Sequence, residues 1–454
     1  MDMTRMVLAL VIGIIILVFL IIKTKIHTFL ALILAALFIG IAGGVPSAKV
    51  IESITGGFGS TLGSIGIIIG FGIMMGQIFE TSGAATRMAY TFIRLFGKER
   101  EEAALAVTGF LVSIPIFCDS GFVILSPLAK ALSKQTKKSV ISMGIALAGG
   151  LVITHSLVPP TPGPVGAAGI FKANVGSVIL WGIVIAIPMM LAVLLYAKYM
   201  GKKIYQLPGD EEQEWIRPTN REALENEKME FNYDNLPGTF RSFAPIIVPI
   251  ILILLNTVSA ALKVKGTLGT VLTFIGTPIV AVGAGLVIAI FTLTIGQDRD
   301  FVIKDMEKGI QSAGIIILVT GAGGALGQVL RDSGVGNYIA KYIAETPIPP
   351  IFLPFIIATL MRFIQGSGTV AMTTAASITA PIMIALNVNP VFATLSACIG
   401  SLFFSYFNDS FFWVVNRSLG ITEAKEQIRI WSVTSTIAWA VGFVMLLIIN
   451  FIFG

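Results

Sequence analysis

Charge is what this chain has least of. Its 31 basic and 25 acidic side chains make up 12% of 454 residues, about half the ~25% of an ordinary soluble domain. A soluble protein of that length needs a charged shell. A polytopic membrane protein, which turns hydrocarbon both to its own core and to lipid, does not. Cysteine and histidine are scarcer still, at two residues each. That excludes a disulfide scaffold and a site built from several Cys and His ligands, and it argues against haem and iron-sulfur chemistry, so no metal or cofactor is expected. Hydrophilic stretches are also few. The one long example, 201–242, carries nine acidic and six basic residues; so short a segment buries too little core for a catalytic domain and is read as a linker. The formal net charge of +6 would suggest nucleic acid for a soluble chain, but in a membrane protein it is first a statement about topology, and no nucleic-acid partner is expected.

What the chain does have is apolar length. Hydrophobic residues are 55% of it, mean hydropathy is +0.89, and 47 glycines suit close helix packing within a bilayer. Runs near the ~20 residues that a spanning helix needs occur at about 6–22, 26–45, 60–80, 139–165, 176–200, 243–262, 270–295, 310–330, 390–416 and 430–452. The first has only Arg5 before it and no small-residue cleavage site after it, which reads as a retained span and not a signal peptide. Two more stretches, about 103–129 and 348–386, are interrupted by Cys118-Asp119-Ser120-Gly121 and by Gln365-Gly366-Ser367-Gly368-Thr369. Arg87, Arg94, Lys98 and Arg100 precede the first of these, and Lys130, Lys134, Lys137 and Lys138 follow it. Both ends then lie on the cytoplasmic side, which a re-entrant hairpin satisfies and a single span does not. With both stretches as hairpins, the inside segments hold 23 of the 31 Lys and Arg, 201–242 is cytoplasmic, and both termini are outside.

The halves resemble each other. Gly76-Gln77 with Ser82-Gly83 recurs as Gly327-Gln328 with Ser333-Gly334, Ser120-Gly121 recurs as Ser367-Gly368, and Pro127 and Ser156 match Pro381 and Ser410. Four matches in order at nearly constant offset indicate a repeat. Each copy holds five spans and a hairpin, and five is odd, so the second copy is inverted. The expected fold is an all-α polytopic membrane protein of two inverted repeats, 1–200 and 243–454, with the linker 201–242 between them and discontinuous helices at the midplane. Secondary transporters are built this way, with substrate held where the breaks meet.

The breaks supply the candidate site. A charged Asp119 at membrane depth costs ~2.5–3.5 kcal/mol, which favours a functional role; the plain structural alternative is a protonated Asp capping the helix that follows. Both are compatible with a helix N-terminus that attracts a carboxylate. Thr154-His155-Ser156 leads into Pro159-Pro160-Thr161-Pro162-Gly163-Pro164, and prolines at that density cannot continue a helix. His155 can carry a proton near neutral pH, or stay neutral on a backbone carbonyl. In the second half the hairpin tip Ser367-Gly368-Thr369 lacks a carboxylate, and Asn408-Asp409-Ser410 interrupts the matching span. Inversion would bring Asp119, His155 and Asp409 to one cavity. Arg362 pairs with substrate or with a carboxylate, or else is a snorkelling interfacial Arg; Glu80, Arg331 and His27 read as interfacial.

On Phe117 to Gly121, Thr154 to Pro164 and Asn408-Asp409-Ser410, the sequence resembles the gluconate:proton symporter family of bacterial permeases, within a superfamily of ion transporters. The resemblance extends over essentially the whole chain. It implies proton-coupled import of a small hydroxylated monocarboxylate, a sugar acid or D-serine, across the bacterial inner membrane. The expected partners are that substrate, protons and membrane lipids; a homo-oligomer is compatible with the architecture by analogy. The carboxylate is expected between the hairpin tips, on Ser120, Gly121, Ser367, Gly368 and Thr369, with polyol hydroxyls on Thr154, Ser156, Thr161, Asn408 and Ser410. Asp119 or Asp409 would carry the proton, with His155 as relay. Sodium coupling is the nearest rival, since unwound carbonyls also bind Na⁺. An intramembrane hydrolase using Ser156 beside His155 leaves the repeat without a purpose, and a passive channel would never concentrate substrate.

Overall fold

The computed structural model describes residues 3–24, 26–97, 100–209, 214–218, 236–335, 348–406 and 409–454. The first half runs α1 (Met3–Ile22), α2 (Thr28–Ala42), a 36-residue α3 (Ser47–Ser82), α4 (Ala84–Phe96), the pair α5 (Glu101–Val112) and α6 (Cys118–Thr136), the broken pair α7 (Val140–Leu157) and α8 (Pro162–Phe171), and α9 (Val175–Lys203). A two-stranded antiparallel ribbon follows, β1 (Leu207–Pro208) with β2 (Trp215–Ile216). The second half holds α10 (Thr239–Ala261), α11 (Gly266–Ile275), α12 (Pro278–Leu293), a 34-residue α13 (Arg299–Asp332), the pair α14 (Phe352–Gln365) and α15 (Gly368–Ala385), the broken pair α16 (Pro390–Gly400) and α17 (Ser410–Ser418), then α18 (Ala424–Gln427), a π turn (Ile428–Ser432) and α19 (Val433–Phe453). The order long helix, helix pair, broken helix thus occurs twice.

Two kinds of helix follow from two kinds of sequence. In α9 the exposed residues Leu180, Val184, Ile187, Leu191 and Leu195 recur every three to four positions, so one face is an apolar stripe. An exposed hydrocarbon stripe of that length faces lipid. In α7 every residue but His155 is buried, and the sequence is apolar all round, as an interior helix requires. Glycine lets its neighbours approach: a Cβ on Gly109 of α5 would come 2.5 Å from the Leu147 carbonyl oxygen, and one on Gly150 of α7 would collide with the Ala106 carbonyl.

Among the described residues, five helices are long and apolar enough to cross a bilayer, or seven when each of two bent pairs counts as one span. Ten spans were expected, and the differences have local causes. The 26–45 run forms a helix of only 15 residues, capped by His27 through its Nδ1, which accepts from the Phe29 N–H. The 270–295 run is α11 and α12, bent by 62° at Gly276-Thr277. The 390–416 run, in which a break at Asn408-Asp409-Ser410 was expected, is two short helices, the first ending already at Gly400 and the second starting at Ser410. The 310–330 run is the apolar end of α13, whose first turns carry Arg299, Asp300, Lys304, Asp305, Glu307 and Lys308.

The ribbon ties the halves together at one end of the bundle. Gln206 accepts the Val140 N–H on its backbone carbonyl at 2.9 Å and donates from Nε2 to the Leu419 carbonyl at 2.7 Å. Arg217 meets Glu426 through both guanidinium nitrogens, at 2.9 and 2.7 Å. The Lys130 ammonium lies 5.1 Å from the Trp215 ring.

Candidate functional site

The site is assembled from four interruptions of helix. The first is the turn between α5 and α6, where Ser113 to Phe117 leads into α6 through an extended Phe117. Phe117 is the N-cap and makes no side-chain capping bond. Asp119 lies in the first turn and turns outward: its Oδ1 accepts from Ser410 Oγ at 2.9 Å, across 291 residues of sequence. The second interruption separates α14 from α15. Gly366 has φ 83°, a left-handed conformation that glycine adopts without a Cβ clash, and Ser367 then caps α15, its Oγ accepting from the Val370 N–H.

The third lies between α7 and α8. Thr161 Oγ donates to the Val158 carbonyl at 2.7 Å, closing the unwound turn, and Pro162 opens α8 at a position where no N–H is needed. The fourth lies between α16, which ends at Gly400, and α17, which starts at Ser410. Asp409 caps α17, its Oδ1 accepting from the Phe411 N–H at 3.3 Å, while its Oδ2 takes Arg362 Nη2 at 2.5 Å. Ser405 Oγ donates to the same oxygen and accepts from Trp431 Nε1 at 2.8 Å. Arg362 Nη1 also donates to the Gly366 carbonyl, so one guanidinium fastens the turn between α14 and α15 to the start of α17.

These interruptions enclose a cavity of about 400 Å³, within the usual range for small-molecule sites. Asp119, His155, Ser156, Ser367, Gly368, Thr369, Asp409 and Ser410 all line it, as expected from their positions at the breaks. The N-terminal turns of α6, α15 and α17 converge on it, and each is the positive end of a helix dipole. His155 is the one residue of α7 that is not buried because it opens to this space, against Phe117 at 5.7 Å between ring centroids. Its Nδ1 is buried without a hydrogen-bond partner, so the neutral ring bonded to a backbone carbonyl through that atom does not form.

Other expected residues are placed elsewhere. Ser120 and Gly121 do not line the cavity, and Gly121 packs against Leu151. Thr154 is wholly buried, one helical step from His155 and turned into the core. Thr161 lines a small cavity behind His155, with Gly72, Pro115 and Phe117. Asn408 lies outside the described residues. Of the two alternatives for Arg362, the structure has the pairing with a carboxylate: it is bonded to Asp409, lines the cavity and is only 6% exposed, which excludes a snorkelling interfacial role. Ser401 and Ser435 join it on the wall; the sequence did not mark these two, and nothing local signals them.

A site of small hydroxyls, two carboxylates, one guanidinium and three helix N-termini can bind and orient a small polar anion and can exchange protons. The comparisons agree with a transport role for such a site. The model of the GntP family of permeases matches residues 5–452. An uncharacterized permease of Haemophilus influenzae is 46% identical, over 99% of this chain and 93% of that protein. The high-affinity gluconate transporter of Escherichia coli is 35% identical, over 97% of this chain and 98% of its own length. Among solved structures, the YdaH transporter of Alcanivorax borkumensis aligns with a TM-score of 0.65 at 14% identity, covering 94% of this chain and 98% of that one, a likeness of fold alone. This multi-pass membrane chain therefore belongs to the GntP family of permeases.

Proposed function

We propose that this permease is a secondary active transporter that imports gluconate, or a closely related hydroxylated monocarboxylate, together with protons across the bacterial inner membrane. The observation that carries the reading is the cavity in which Asp119, His155, Arg362 and Asp409 meet the hydroxyls of Ser156, Ser367, Thr369 and Ser410. The cation and the helix N-termini suit a carboxylate, and the hydroxyls suit a polyol tail. Asp119 and Asp409 are the carboxylates of the proton pathway, and His155 is its relay. A proton that travels with a monoanion leaves the cycle electroneutral, so it responds to the pH gradient and hardly to voltage.

The recurring order of elements supports two inverted repeats, 1–200 and 243–454, each with a re-entrant hairpin whose tip meets the broken helix of the other. Ser410 bonded to Asp119 is a contact of that kind. The concentration of basic residues on 23–25, 87–138, 198–241, 299–308 and 417–429 puts the 201–242 linker in the cytoplasm and the termini outside.

Competition against labelled gluconate in proteoliposomes tests the substrate class. Other sugar acids should compete and sorbitol, which keeps the hydroxyls and lacks the carboxylate, should not. Displacement by D-serine at lower concentration than any sugar acid would overturn the assignment.

A further inference from the structure

We propose that Arg362 anchors the substrate carboxylate and that Asp409 is the placeholder it displaces, so that binding one anion obliges Asp409 to take up one proton. The proposal rests on the sugar-acid reading above and deepens it.

Arg362 and Asp409 are 6% and 8% exposed, and both line the cavity. A carboxylate takes a guanidinium best through two parallel N–H bonds. On Arg362, Nη1 is engaged by the Gly366 carbonyl and Nη2 by Asp409, but Nε is buried with no hydrogen-bond partner. The Nε/Nη2 edge is therefore half used. A ligand carboxylate that takes the whole edge must compete with Asp409 for Nη2.

Displacement leaves Asp409 with the Ser405 hydroxyl and the Phe411 N–H, and without its cation. The other titratable groups facing it across the cavity are Asp119 and Cys118 from α6 and His155 from α7, none of them a fixed positive charge to replace the guanidinium. An ionised, unpaired, buried carboxylate is strongly disfavoured. Protonation removes the charge: a proton enters from the aqueous side to which the cavity is open and binds a carboxylate oxygen of Asp409. It leaves on the other side when the substrate departs and Asp409 returns to Arg362. The empty and the fully loaded site then carry the same charge. Substrate without proton strands a carboxylate, and proton without substrate strands a guanidinium, so both leaky states are penalised and the ratio is one to one.

Calorimetry of gluconate binding to the full-length detergent-solubilised protein, in two buffers of different ionisation enthalpy, reads the proton directly. The wild type should take up one proton per gluconate at alkaline pH, and its affinity should fall about tenfold per pH unit there. Asp409→Asn keeps an acceptor for the Phe411 N–H and so preserves the cap. It should bind gluconate with no proton uptake and no pH slope, and should support counterflow without accumulation. Arg362→Gln should weaken binding by ~30-fold or more. Wild-type binding without proton uptake, or a tenfold slope persisting in Asp409→Asn, overturns the exchange while leaving the substrate reading intact. A wild type that binds no sugar acid in any buffer overturns the substrate reading and the anchor with it.

Discussion

Replacing Arg362 with Met tests whether the buried ion pair holds the site together. The side chain spans two interruptions at once, through the Gly366 carbonyl between α14 and α15 and the Asp409 carboxylate that caps α17. Removing one partner of a buried pair typically costs ~3–5 kcal/mol, most of it the penalty of leaving the other charge uncompensated. Here Asp409 keeps two hydrogen-bond donors and the cavity admits water, so the lower end, about 3 kcal/mol, is expected. Asp409→Asn removes the opposite charge but retains the cap, and should cost a comparable amount because it strands the guanidinium. The double variant strands neither. Its loss should fall short of the sum of the single losses by ~2–3 kcal/mol, the upper range for residues in direct contact. Reversible denaturant unfolding in mixed micelles, followed by tryptophan fluorescence, measures all three; Trp431 is bonded to Ser405, itself bonded to Asp409, and reports locally. Additive losses would refute the argument, because they would mean that each charge is stabilised independently of the other.

Three further outcomes follow from the structure. Gly150→Ala places a Cβ against the Ala106 carbonyl and the Phe110 amide at 2.9 Å; backbone cannot move aside as a side chain does, so overpacking by ~1–3 kcal/mol should lower the apparent melting temperature in detergent, and an unchanged value would show that α5 is not held against α7. Leu191→Arg, at an exposed position in the middle of α9, should reduce membrane insertion by an amount corresponding to ~2.5–3.5 kcal/mol, whereas normal insertion would mean that this stripe does not face lipid. Asp119→Asn should leave protein levels unchanged and reduce gradient-driven uptake at least tenfold; full uptake would remove Asp119 from the proton pathway.

The site was legible where the chain announces a break. The prolines from Pro159 to Pro164 cannot continue α7, although Pro162 and Pro164 are accommodated in the first turn of α8, and Asp119, Ser367 and Asp409 stand beside small or turn-forming residues in otherwise apolar runs, which marked them as neighbours of breaks. What was not legible depends on rotation and depth. Thr154 and His155 are adjacent, yet about 100° of helical rotation sends one into the core and the other to the cavity. Because α7 is apolar all round, no periodic pattern states which face is which. For Arg362 a carboxylate partner and an interfacial position both stayed open because an apolar run gives no depth, and only the fold shows that α14 ends inside the bundle. The network from Trp431 through Ser405 to Asp409 joins the π turn to the break before α17, and no local pattern marks a serine as the link. Helix lengths erred for a related reason: Asn408-Asp409-Ser410 marks a break in 390–416, but hydropathy does not show that the helix before it already ends at Gly400.

The central claim is proton-coupled accumulation, and the most direct measurement is uptake of labelled gluconate into proteoliposomes under an imposed inward proton gradient with choline in place of Na⁺. The account predicts accumulation above equilibrium that collapses on adding a protonophore. Uptake that only equilibrates, or accumulation that appears only when Na⁺ is restored, would contradict it.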